Sequence, residues 1–185
     1  MVDVIKTERL ILRKWKEKDA DILYRLAKNP EIGRGAGWLP HKDAEYSKAI
    51  IRAVLSDDGE YAIALKDDGN TPIGSIGVRI GSCENRGIMR DDEAEIGYWL
   101  GKDYWGYGYA TEALSELVRY SFTEIGLNSI WCGFFDGNEK SRNVIERCGL
   151  KYHHRNEHLY NSMLSEYYNE TMMRISAEEY FHCTK

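Results

Sequence analysis

The segment Glu95-Ile-Gly-Tyr-Trp-Leu-Gly-Lys-Asp-Tyr-Trp-Gly-Tyr-Gly-Tyr-Ala-Thr-Glu-Ala113 constrains this chain more than any other. It predicts a strand ending near Leu100, a glycine-rich turn, and a helix opening at about Ala110. Gly106 and Gly108 let backbone N–H groups come close to an anion, and the helix N-terminus adds aligned dipoles. The place therefore suits a phosphate or pyrophosphate, although two glycines also occur in many ordinary strand–helix connections. Two familiar phosphate motifs are excluded. Thr111 stands where G-x-G-x-x-G needs its third glycine, and neither glycine is followed by the Lys-Ser/Thr pair of a P-loop.

The helix that follows is strongly amphipathic. Ala110, Ala113, Leu114, Leu117, Val118, Phe122 and Ile125 make one apolar stripe, and Gly126 supplies the stop. Elsewhere, residues 8–15 alternate as a strand with Leu10 and Leu12 on one face. Asp19 is placed to cap a helix carrying Ile22, Leu23, Leu26 and Ala27, which Pro30 stops. Residues 31–42, with Gly33, Gly35, Gly37 and Pro40, read as an irregular loop. Asp43 caps a second helix whose apolar face is Tyr46, Ala49, Ile50, Ala53 and Val54. Tyr61–Leu65 and Thr71–Ile80 form a hairpin, a polar stretch covers Gly81–Asp92, and a strand runs Glu93–Leu100. Asn128–Phe135 is a strand, Asn138–Cys148 a short helix, and Tyr152–Tyr160 with Tyr167–Ile175 an antiparallel pair. Strands around a few helices, without a linker, predict one α+β or mixed α/β domain.

Composition narrows the function classes. The chain has 185 residues, 43% hydrophobic and 30% charged, a net charge of -5 and a pI of about 5.6. A nucleic-acid binder is expected to be basic, so that class is disfavoured. Cys83, Cys132, Cys148 and Cys183 are far apart, with no histidine at zinc spacing, which predicts reduced thiols in a cytoplasmic protein and no metal. No signal-like N-terminus or run of about 18 apolar residues predicts a membrane role.

Trp105-Gly-Tyr-Gly-Tyr-Ala110 followed by Thr-Glu-Ala113 resembles the acyl-CoA motif of the GNAT N-acetyltransferases, Arg/Gln-x-x-Gly-x-Gly/Ala. Gly108 and Ala110 match its last fixed positions, and Trp105 replaces the Arg/Gln, as in the ribosomal-protein N-terminal acetyltransferases of the RimJ/RimL type. Thr7-Glu-Arg-Leu-Ile-Leu-Arg13, Ile73-Gly74, Asn138-Glu-Lys-Ser141 and Glu146-Arg-Cys-Gly-Leu150 resemble further motifs in the right order. The resemblance implies a single α/β GNAT domain over 1–185, with a mixed, mostly antiparallel sheet flanked by helices. It also implies a splayed strand pair, between the strand ending at Leu100 and strand 128–135, that holds acetyl-CoA.

On that resemblance, the pantetheine arm pairs with backbone near Trp99, Leu100 and Gly101. The pyrophosphate sits on the N–H groups of Gly106, Tyr107, Gly108, Tyr109 and Ala110, with Trp105 and Thr111 as further cofactor-binding residues. Asn138 reaches the pantetheine side, with a plain helix N-cap as its alternative. Direct transfer to an amine needs a neutral nucleophile, support for the oxyanion and protonation of the leaving thiolate. Glu95 shares a strand face with Gly97 and Trp99 and is the first candidate base, with Glu93 second; both could instead lie on a solvated edge. The tyrosine acid common in the superfamily is replaced by Ile145, leaving Ser141 to face the sulfur. Trp38 is expected beside the acceptor. The expected acceptor is an amine, most readily a protein N-terminus, and the expected state a monomer or homodimer. Small-molecule N-acetylation and a non-catalytic acyl-CoA sensor are the rival readings.

Overall fold

The computed structural model describes residues 1–81 and 90–183. Cys83, most of the polar stretch expected over Gly81–Asp92, and the Cys183 side chain lie outside the described residues. Among the described residues eight strands make one sheet in the order β1-β2-β3-β4-β5-β6-β8-β7. They are β1 Val4–Lys6, β2 Leu10–Arg13, β3 Glu60–Leu65, β4 Pro72–Ile80, β5 Glu93–Leu100, β6 Ser129–Phe135, β7 Lys151–Asn161 and β8 Glu166–Ser176. Strands β1 and β2, β2 and β3, β3 and β4, β6 and β8, and β7 and β8 pair antiparallel, while β5 pairs with β6 in parallel. The mixed, mostly antiparallel sheet with helices is the fold expected from the sequence.

The chain forms two compact units. Met1–Gly77 with Tyr98–Ala113 make the first, and Val78–Gly97 with Leu114–Lys185 the second. In the first, Leu10 and Leu12 are fully buried, as the alternation of residues 8–15 requires. Helices α1 Ala20–Ala27, α2 Pro30–Ala36 and α3 Ala44–Ile50 belong to this unit. Their core joins Trp15, Leu23, Ala27, Ile51, Leu55 and Ala62, with Trp38 and Trp99 packed against it. Trp15 Nε1 donates to Ser75 Oγ at 3.0 Å, and that hydroxyl donates to the Tyr61 carbonyl, so the buried indole has a partner.

Four expectations are corrected here. The loop over 31–42 contains α2: Asn29 Oδ1 accepts from Glu31 N at 3.0 Å, Pro30 takes the first helical position, and Gly37 closes at φ 85°. Pro30 thus starts a helix, and α1 already ends at Ala27. Asp19 precedes α1 but makes no side-chain cap; its carboxylate instead accepts from Lys16 N and Arg13. Finally, α3 does carry its cap, Asp43 Oδ1 accepting from Tyr46 N, but a wide π-turn over Ile51–Leu55 rotates the chain. The buried positions are Ser47, Ile51 and Leu55, while Ala49, Ala53 and Val54 are exposed.

Helix α4, Tyr109–Tyr120, continues into the second unit, where it leads into a π-turn at Ser121–Ile125 and stops at Gly126, φ 80°. Leu114, Leu117, Val118 and Phe122 of its stripe are buried. Helix α5 is Glu139–Arg147 and α6 is Ala177–Cys183. Strand β6 runs antiparallel to β8 from Ser129↔Ser176 to Phe135↔Glu170, pairing Trp131 with Arg174 and Gly133 with Met172. The β5–β6 ladder covers Glu93↔Ser129 to Glu95↔Trp131 and goes no further.

Candidate active site

The glycine turn belongs to the first unit and is built at both ends. At the end of β5, Gly101 N donates to the Ile73 carbonyl at 2.8 Å, and Trp105 Nε1 donates to the Leu100 carbonyl at 2.9 Å. A Cβ on Gly74 would meet the Trp99 carbonyl at 2.2 Å, so only glycine admits this approach. Of the backbone groups expected to meet pantetheine, the Gly101 amide and the Leu100 carbonyl thus already have protein partners. Trp99 is half-buried, with its ring 5.7 Å from that of Trp38.

Beyond Trp105 the chain turns at Gly106 (φ 85°) and Gly108 (φ 82°) and enters α4 at Tyr109. Those two dihedrals lie in the left-handed region that favours glycine. Gly106, Tyr107 and Gly108 are exposed, while Tyr109, Ala110 and Thr111 are half-buried. The first-turn amides of a helix have no preceding carbonyl to bond, and the helix dipole favours an anion there. Among the described residues, nothing beyond its chain neighbours would lie within 4 Å of a Cβ on Gly106, so the turn is open on that side.

Sequence reasoning missed the group that anchors this turn. Glu112, in the first turn of α4, accepts from Thr7 Oγ1 at 2.5 Å, Arg9 N at 2.8 Å and Arg9 Nε at 2.7 Å. Arg9 Nη1 also donates to the Tyr107 carbonyl at 3.0 Å, and its guanidinium lies 4.7 Å from the Tyr109 ring centroid. Burial pushes the Glu112 carboxyl up, but the hydrogen bonds from Thr7 and Arg9 outweigh it and hold the group below the ordinary carboxylate range. The available signal was a glutamate in a first helical turn together with an Arg in the first-strand motif.

In the second unit, Asn138 caps α5: its Oδ1 accepts from Ser141 N at 3.1 Å. The cap brings Asn138 and Ser141 together, both half-buried, and leaves the Asn138 Nδ2 group to donate elsewhere. Ile145, where the family tyrosine is absent, is fully buried in α5. Glu95 is half-buried on β5, opposite Trp131 in register. Glu93, the second candidate base, is corrected: it is buried, its Oε2 accepts from Trp131 Nε1 at 2.9 Å, and Arg174 lies 4.0 Å away. A carboxylate so engaged fixes the indole. Trp38 is half-buried, tilted against His41 at 5.4 Å and seated on Gly33. Cys148 is half-buried, its thiol pushed up by burial and 3.3 Å from Ser115 Oγ. Among the described residues no cluster of His, Cys, Asp and Glu could hold a metal ion, and no helix is long and apolar enough to cross a membrane.

Comparison with known proteins gives these features a context. The profile of the "Acetyltransferase (GNAT) domain" family matches residues 9–151. "Uncharacterized N-acetyltransferase p20" of Bacillus licheniformis is 34% identical over 134 residues, covering 70% of this chain and 71% of its own. "Putative ribosomal N-acetyltransferase YdaF" of Bacillus subtilis is 33% identical over 151 residues, covering 77% and 78%. The crystal structure of a GNAT-family acetyltransferase from Bacillus anthracis superposes with a TM-score of 0.81 at 22% identity, over 95% of this chain and 99% of that one.

Proposed function

This chain belongs to the GNAT acetyltransferases and is an acetyl-CoA-dependent N-acetyltransferase, and from that premise we propose that its acceptor is the α-amine of a protein N-terminus. The observation that carries the reading of the site is the turn with Gly106 and Gly108 at positive φ, opening directly into α4. We place the diphosphate on the amides of Gly106 through Thr111, with Trp105 holding the turn against Leu100 and the thioester arm beside Trp99 to Gly101. Asn138 Nδ2 is assigned to the arm, and Trp38 to the acceptor side.

Acetyl-CoA supplies an acetyl group activated as a thioester. In the proposed role, Glu95 takes the proton of the incoming amine, directly or through water. Ser141 donates its hydroxyl hydrogen to the sulfur as the carbon–sulfur bond breaks. A thiol with a pKa near ~8.5 is a fair leaving group, so one hydrogen bond suffices in place of a full acid.

Three observations favour an α-amine. The buried Ile145 provides no acid, so the site matches an acceptor that is easily deprotonated. Neutralising an α-amine of pKa ~8 at pH 7 costs about 1.4 kcal/mol, against roughly 4.6 kcal/mol for a lysine-like amine at ~10.4. The relative YdaF, which covers most of the chain, carries a ribosomal N-acetyltransferase name.

The test is release of free CoA across a panel of peptides with open or blocked N-termini, polyamines, amino acids and aminoglycosides. Open-ended peptides are expected to be turned over and their blocked forms not. Turnover confined to small amines would overturn the acceptor assignment, and no release with any amine would favour an acyl-CoA sensor.

A further inference from the structure

The cation that position 105 lacks is provided from the other end of the chain. We propose that Arg9 is a phosphate-binding residue of the acetyl-CoA site, an inference that rests on the diphosphate lying at the 106–111 turn. The side chain is fixed on three sides. Nε donates to Glu112 Oε2 at 2.7 Å, Nη1 to the Tyr107 carbonyl at 3.0 Å, and the guanidinium lies over the Tyr109 ring. Its own backbone amide bonds the same carboxylate, which Thr7 also holds.

The remaining nitrogen, Nη2, has no hydrogen-bond acceptor in the protein among the described residues. It points at the turn: a Cβ built on Gly108 would lie 3.5 Å from it. The side chain is 44% exposed, so solvent and ligand can reach it. A guanidinium held by two acceptors and stacked on a ring has little left to lose in rotamer freedom, and its outer N–H groups suit a phosphate oxygen.

Charge supports the same role. Glu112 sits within the first turn of α4, where its carboxylate would repel the phosphates that the helix terminus attracts. Arg9 neutralises that carboxylate on one side and offers donors on the other. Trp105, in the motif position of the usual Arg/Gln, bonds the Leu100 carbonyl instead, so the charge at the turn comes from β1–β2 rather than from within the motif.

The experiment is calorimetric titration of acetyl-CoA into the wild type, Arg9→Gln, Arg9→Lys and Gly108→Val between 50 and 500 mM NaCl, with folding checked by circular dichroism. Arg9→Gln is expected to weaken binding by about tenfold or more at low salt, as for a lost charge-assisted hydrogen bond. The gap to wild type should narrow as salt screens the charge, and Arg9→Lys should recover much of the loss. A loss of the same size at every salt concentration, unrelieved by lysine, would make Arg9 a structural clip and overturn the inference. So would unchanged affinity. If Gly108→Val loses affinity while Arg9→Gln does not, the turn remains the phosphate site and only Arg9 is wrongly assigned. If neither loses affinity, the phosphate placement itself fails, and this inference with it.

Discussion

The indole of Trp105 donates its single N–H to the carbonyl of Leu100 at 2.9 Å, closing the turn from the end of β5 back on itself. Trp105→Phe keeps an aromatic ring but deletes the donor to a half-buried carbonyl. The expected cost is about 0.5–1.5 kcal/mol of folding stability, read by urea denaturation. A variant as stable as wild type would show that water replaces the bond without loss.

Asn138 has two separable duties. Its Oδ1 caps α5, and its Nδ2 is assigned to the cofactor. Asn138→Ala should lose about 0.5–2 kcal/mol of stability through the cap alone. Asn138→Asp retains the acceptor and should leave the melting temperature near wild type. If Nδ2 meets acetyl-CoA, both variants should also weaken its binding by about 1–3 kcal/mol. Wild-type affinity in Asn138→Asp would leave the residue as a helix cap only.

The Glu112 cluster predicts a pH dependence. Its carboxyl titrates below the ordinary value of 4.5 in the folded chain, so the unfolded state binds the proton first as pH falls. The stabilisation is therefore full above pH 4.5 and is lost as pH drops through the lowered folded value. Glu112→Gln should flatten this part of the profile, and its stability deficit should shrink from pH 6 towards pH 3. A deficit independent of pH would mean that packing, not charge, ties Glu112 to Thr7 and Arg9.

Glu95 and Ser141 should differ in the shape of their pH–rate profiles. If Glu95 takes the amine proton, Glu95→Gln slows turnover most at pH 6–7, and the defect fades as pH nears the pKa of the acceptor. If Ser141 steadies the thiolate, Ser141→Ala lowers the rate roughly tenfold to a hundredfold at every pH. Wild-type rates in Glu95→Gln from pH 6 to 9 would leave solvent as the base. Unaltered turnover with weaker CoA binding in Ser141→Ala would move that serine to the cofactor.

Local patterns carried much of this architecture. Leu10 and Leu12, the hairpin of β3 and β4, and the stripe of α4 are set by period and turn residues, and each lies where the sequence places it. The misread elements turned on single local choices. Asn29-Pro30 signals a helix start as readily as a stop. Ser47 is fully buried because its hydroxyl donates to the Asp43 carbonyl and meets His41 Nδ1 at 2.8 Å, which no hydrophobic count registers. The glycine turn was legible as an anion site, whereas its anchor was not. Arg9 and Glu112 each carry a local signal, but they stand 103 residues apart and meet only in the folded chain, and spacing along the chain carries no sign of that pairing.

The central claim is transfer of acetyl to an α-amine. The most direct measurement uses one peptide with an open N-terminus and an internal lysine, incubated with acetyl-CoA at pH 7 and mapped by tandem mass spectrometry. The account predicts acetyl on the N-terminal nitrogen in at least about tenfold excess over the lysine, since the α-amine has the far larger neutral fraction at that pH. Acetylation mainly of the lysine side chain, or none on the peptide while a small amine is consumed, would contradict it.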